Sequence, residues 1–147
     1  MKTTTDMTST TPGLVCGHHH LYSSLARGMP EPPIQPTNFL EILQQVWWRL
    51  DTALDLDMIY WSAKLGAVEA LMNGTTGIID HHESPNAIEG SLDVIAQACA
   101  EVGVRVVCSY GVTDRHGSDA GRRGLEENRR FIASGGRGLV GVHAAFT

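Results

Sequence analysis

Four short apolar runs, separated by segments of helical pattern, restrict this chain to few folds. The runs cover residues 14–17 (Leu-Val-Cys-Gly), 77–80 (Gly-Ile-Ile-Asp), 104–109 (Val-Arg-Val-Val-Cys-Ser) and 139–142 (Leu-Val-Gly-Val). Their length and β-branched content predict strands. Strands that alternate with helices build βαβ units around a parallel sheet. The first connection opens with the loop Gly28-Met29-Pro30-Glu31-Pro32-Pro33, which cannot be regular helix. Phe39, Ile42, Leu43, Val46, Trp47, Leu50 and Leu54 then recur at helical spacing, and a second helix is predicted over 58–72, stopped by Asn73-Gly74. Further helices are expected over 91–102, closed by Gly103, and over 119–133, capped by Ser118 and ended by Ser134-Gly135-Gly136. The order ends on a strand where a helix would come next, so the pattern is of four strand-helix steps, the fourth lacking its helix.

At 147 residues and 42% hydrophobic, the chain is long enough for one core and too short for a full enzyme barrel. Sixteen acidic and 11 basic residues give a net charge of −5 without long runs of one sign, which argues against nucleic acid or an anionic membrane as partner. No apolar run approaches the roughly 20 residues that cross a bilayer. Cys16, Cys99 and Cys108 are odd in number, lack CxxC spacing and sit in apolar surroundings, which fits free thiols in a reducing cytoplasm. Residues 1–11, rich in threonine, read as a disordered lead-in, leaving 12–147 for the folded part.

The histidines follow the strands. His18, His19 and His20 come after the first, His81 and His82 after the second, His116 in the loop after the third, and His143 after the fourth. In parallel α/β folds the loops at the carboxyl ends of the strands converge on one mouth. In extended backbone His18 and His20 project to the same side, where two neutral imidazoles can grip one divalent metal; His19 faces away. Glu41 stands three residues after Asn38, a spacing that also makes a capping box. Asp80 is expected to hold neighbouring loop amides, and Trp47 and Trp48 to pack in the core and mouth.

The stretch Pro12-Gly13-Leu14-Val15-Cys16-Gly17-His18-His19-His20-Leu21-Tyr22-Ser23-Ser24-Leu25-Ala26-Arg27-Gly28 resembles the entry strand of the amidohydrolase superfamily. The likeness is to its cytosine deaminase, chlorohydrolase and guanine deaminase branch, and within it to SsnA-like aminohydrolases. Phe39 to Asp51 is similar to that branch's tryptophan-containing helix, Gly74 to His82 to its second strand, and Gly141 to Thr147 to its fourth. The resemblance implies an α/β fold, the amino-terminal half of a (β/α)8 TIM-like barrel. It implies His18 and His20 as ligands of a divalent metal, zinc first and iron second, and His143, Glu41, His81 and His82 as substrate-site candidates. It assigns no catalytic residue here, since the remaining metal ligands and the proton-shuttling aspartate of the family lie on later strands.

By the same resemblance the chemistry is hydrolysis of a C–N bond in a purine-, pyrimidine- or triazine-like heterocycle. Metal-activated water attacks an amidine-like ring carbon and ammonia leaves. Two imidazoles alone bind metal weakly, so negligible turnover is expected of these residues by themselves. Exposed edges on the first and fourth strands suggest two further functions. One is a non-catalytic module for self-association or partner binding; the other is a half-enzyme completed by a separate chain.

Overall fold

The computed structural model describes residues 9–144. Residues 1–8 of the expected lead-in, and Ala145, Phe146 and Thr147 of the fourth family-like segment, lie outside them. Four parallel strands are hydrogen-bonded in the order β1 (Leu14–His19), β2 (Thr75–His82), β3 (Arg105–Val112) and β4 (Gly141–Val142), forming a half-barrel. Sequence order equals spatial order, as successive βαβ crossovers require.

β2 and β3 are longer than the apolar runs suggested, because polar residues carry the pairing on to His82 and Val112. Their register is unbroken over six pairs, from Gly77↔Arg105 to His82↔Tyr110. The β1–β2 register slips between Cys16 and His19, where three steps on β1 match two on β2. This bulge re-aims the histidines at the end of β1. The fourth run meets β3 more briefly than expected. Gly141 and Val142 pair with Gly111 and Val112, and Gly138 makes only an isolated bridge to Cys108.

The helices follow α1 (Phe39–Ile42), α2 (Trp48–Ala53), α3 (Leu56–Met72), α4 (Ser91–Val102) and α5 (Ser118–Ala133). A 3-10 turn at Leu21–Ala26 follows β1, which periodicity did not predict. The helix expected over 39–54 is interrupted by a π-helical stretch, Leu43–Trp47, between α1 and α2. α3 starts at Leu56 because the Asp55 carboxylate accepts from the Met58 amide at 2.8 Å. Ser118 is not a cap: it opens α5, and Gly117, at φ 92°, holds the cap position without a side-chain bond.

Leu21, Ile59, Ala63, Ala67, Ile78, Leu92, Ile95, Cys99 and Cys108 form the buried core between the sheet and α3 and α4. A Cβ on Gly66 would come within 2.7 Å of the Leu21 side chain, so glycine lets the 3-10 turn seat against α3. Leu14 and Val15 on β1 and Val142 on β4 stay exposed at the two edges. Among the described residues no helix is long and apolar enough to cross a membrane, and Cys16, Cys99 and Cys108 are free thiols.

Candidate active-site mouth

The carboxyl ends of the strands bring four histidine rings into sequence. Ring centroids of His18 and His20 are 4.8 Å apart, those of His20 and His81 5.7 Å, and those of His81 and His143 6.1 Å. The Nε2 atoms of His18 and His20 approach to 3.1 Å. His20 Nδ1 lies 2.8 Å from the His81 carbonyl oxygen, which can only accept, so Nδ1 carries the proton. Burial, the largest influence, lowers the His20 pKa and keeps the ring neutral, leaving its lone pair on Nε2 toward His18. Two nitrogens bound to one tetrahedral zinc at about 2.0–2.1 Å stand about 3.3 Å apart, so this pair fits a divalent cation in spacing and tautomer. Among the described residues no group of three or more histidine, cysteine or acidic side chains is placed to hold a metal ion.

Beside this pair lies a cavity of about 240 Å3, lined by His20, Tyr22, Phe39, Leu43, Trp47, Trp48, Asp51, Glu83 and His143. The π-helical stretch and the first turn of α2 supply its aromatic wall. Both tryptophans therefore line the mouth, with Trp47 edge-on to Tyr22 at a centroid distance of 6.3 Å.

The other candidates fall in different places. His81 is half-buried, its Nε2 3.9 Å from Glu83 Oε1. His82 is fully buried and away from the cavity, edge-on to the rings of Tyr22 and Tyr110, with Nε2 2.8 Å from Ser84 Oγ. Burial pushes its pKa down to about 3. Glu41 is exposed and closes the capping box: its carboxylate accepts from the Thr37 amide at 2.7 Å while Asn38 Oδ1 accepts from the Glu41 amide at 3.0 Å. His19 turns away from the cavity, and His116 lies 3.1 Å from Arg115 Nε. Asp80 holds a loop amide, accepting from Leu21 N at 2.7 Å, and full burial pushes its carboxyl up to about 7.

Three further residues at the mouth carry no local motif. Arg115, in the loop after β3, donates from one terminal nitrogen to Asp51 Oδ2 at 2.9 Å and to Glu83 Oε2, and its guanidinium stacks 4.8 Å from the Trp48 ring. Glu83 Oε1 lies 3.3 Å from His143 Nε2. Burial and the Glu83 charge push the Asp51 carboxyl up to about 7, against the pull of Arg115. Room for Glu83 and His81 comes from Gly111 on β3, where a Cβ would come within 3.0 Å of Glu83 Oε1 and closer still to His81 Nε2. One signal was available for Asp51: it sits four residues after Trp47 and three before Leu54, a charge on an apolar stripe. Glu83 and Arg115 are joined only by the fold.

A protein-family model described as the amidohydrolase family matches residues 10–146. The 5'-deoxyadenosine deaminase of Methanopyrus kandleri is 33% identical over 142 residues, covering 92% of this chain and 30% of the relative. Among solved structures, guanine deaminase from Bradyrhizobium japonicum superposes with a TM-score of 0.67 at 20% identity, over 92% of this chain and 30% of that one. Atrazine chlorohydrolase TrzN from Arthrobacter aurescens TC1, complexed with zinc, superposes with a TM-score of 0.64 at 20% identity, over 89% and 34%. These structural likenesses establish the fold. The chain thus spans about a third of the length of the proteins it matches.

Proposed function

The chain belongs to the amidohydrolase family, and from that premise we propose that it carries the first part of a metal-dependent aminohydrolase site for a small, purine-like heterocycle. The observation that carries this proposal is the convergence of His18 and His20 Nε2 to 3.1 Å with His20 Nδ1 tied to the His81 carbonyl. A divalent cation, zinc in the first place and iron in the second, would supply Lewis-acid activation of water when bound. The deaminase relatives and the zinc-complexed structural neighbour support that chemistry.

The remaining roles belong to this chain's own side chains. The His81 carbonyl fixes the ring and tautomer of His20. Trp47, Trp48 and Phe39 provide flat apolar surface against which an aromatic heterocycle packs. His143, on the cavity wall beside Glu83, is the substrate-facing imidazole, and His81 stands behind it. His82 and Glu41 serve the scaffold instead, through the buried Ser84 contact and the capping box. Two imidazoles hold a metal weakly, so the 147-residue chain alone turns over negligibly, and the full reaction draws on further ligands.

Zinc titration of the chelator-stripped chain, followed by calorimetry, tests the ligand assignment. His18→Ala and His20→Ala are each expected to weaken zinc at least tenfold, while His82→Gln leaves it within about twofold. Unchanged zinc affinity in both alanine variants would remove His18 and His20 from the metal site.

A further inference from the structure

α3 is apolar on two sides. Ile59, Ala63 and Ala67 are fully buried in the core. On the side away from them, Met58, Trp61, Leu65, Val68 and Met72 follow one another at alternate spacings of three and four residues. Leu65 is half-buried, while Met58 is 48%, Trp61 52%, Val68 39% and Met72 81% exposed. Leu25 of the 3-10 turn joins this stripe, lining one open groove with Trp61, Leu65 and Val68. A helix apolar all round is normally covered all round, and nothing among the described residues covers this side. The spacing says what fits: it is the a and d pattern of a seam between two helices.

Two features select a second copy of this chain as the occupant. The stripe is self-complementary, because copies laid parallel about a two-fold axis set each a or d residue against its own equivalent, one patch serving both. The flanking charges agree. Lys64 and Glu69 occupy the g and e positions beside the stripe, five residues apart, the separation that brings opposite charges together across a parallel seam. An antiparallel joint would instead set lysine against lysine and glutamate against glutamate. Within the chain Lys64 is paired with Glu101 and Glu69 with Arg27, all four at the surface or half-buried. Joined across the seam, the signs alternate through Arg27, Glu69, the partner's Lys64 and the partner's Glu101.

We propose that the outward side of α3 is a two-fold interface on which a second copy of this chain docks in parallel, with Leu65 at its centre and Lys64 meeting the partner's Glu69. The interface lies apart from the mouth and is independent of the aminohydrolase proposal above.

Sedimentation velocity of the full chain across a concentration series is expected to show a monomer–dimer equilibrium. Trp61→Glu and Val68→Glu are each expected to raise its dissociation constant at least tenfold with an unchanged circular dichroism spectrum. Lys64→Glu and Glu69→Lys should each weaken the dimer alone, and an equimolar mixture of the two should restore it, since every flanking pair is then opposite in sign. Met72→Cys should form a disulfide between copies on mild oxidation, above the wild-type background. Val15→Lys on β1 and Val142→Lys on β4 should leave the equilibrium within about twofold. A wild type that stays monomeric throughout overturns the proposal. So does a dimer that survives both glutamate variants, or one dissociated by the edge-strand variants alone, which would place association at the sheet edges. A dimer that depends on Trp61 and Val68 but fails to cross-link at position 72 overturns the parallel joint.

Discussion

Two neighbouring strands end in consecutive histidines, and the fold treats them in opposite ways. At the end of β1, beyond the slip in register, His18 is exposed and His20 half-buried, their nitrogens turned toward each other. At the end of β2, where pairing to β3 is unbroken, His82 is sealed between Tyr22 and Tyr110. Residue type is the same, and position in the sheet differs. An edge strand with a bulge can offer side chains to a ligand, whereas a central strand in regular register spends them on packing.

Breaking the comparison at its stronger end should cost most. His82→Ala removes a fully buried ring and the partner of Ser84 Oγ, and is expected to destabilise the fold by about 2–4 kcal/mol in chemical denaturation. A loss below 1 kcal/mol would show that the β2 end is not packed as described.

An intermediate effect concerns pH. The Asp80 carboxyl rises from 3.8 to about 7 in the fold, so between these values the folded state holds a proton the unfolded state has lost, and stability falls as pH rises. His82 drops from 6.5 to about 3, so over that span the folded state lacks a proton the unfolded state has gained, and stability rises with pH. From about pH 4 to 6.5 the two slopes oppose each other. Asp51, also raised to about 7, adds a falling slope of its own. Asp80→Asn keeps a carbonyl acceptor for Leu21 N–H and should tilt the profile upward from that of the wild type; His82→Gln should tilt it downward. Each change in slope is bounded by about 1.4 kcal/mol per pH unit. Profiles unchanged from the wild type in both variants would contradict the burial of this pair.

The smallest effect is expected at the exposed rim. His18→Ala should change stability by less than about 0.5 kcal/mol. A larger loss would mean that His18 supports the fold, and the contrast between the two strands would close.

The half of the molecule that repeats a period is legible in the sequence. The four strands, the helices over 91–102 and 119–133, and the placing of histidines at the strand ends follow from alternation and spacing. The resemblance at Pro12–Gly28 singled out His18 and His20, whose Nε2 atoms the fold brings to 3.1 Å. Two kinds of feature were hidden. Local irregularities, the bulge after Cys16 and the π-helical stretch at Leu43–Trp47, arise where tertiary packing overrides period, and no residue type announces them. The Asp51, Glu83 and Arg115 cluster joins three connections separated by 32 and 64 positions, so only the fold creates it.

The π-helical stretch fixes the length of the path between the two walls of the cavity. Leu43 and Trp47 share a wall of the cavity while α2, entered through this wider turn, delivers Asp51 to Arg115. Letting the segment tighten to α-helix with its residue count unchanged would rotate everything beyond it by about 100°. Trp48 and Asp51 would then swing off the mouth together. The winding of this one turn is therefore a setting of the pocket in its own right, and a change of pitch there would reshape the cavity without altering a single strand.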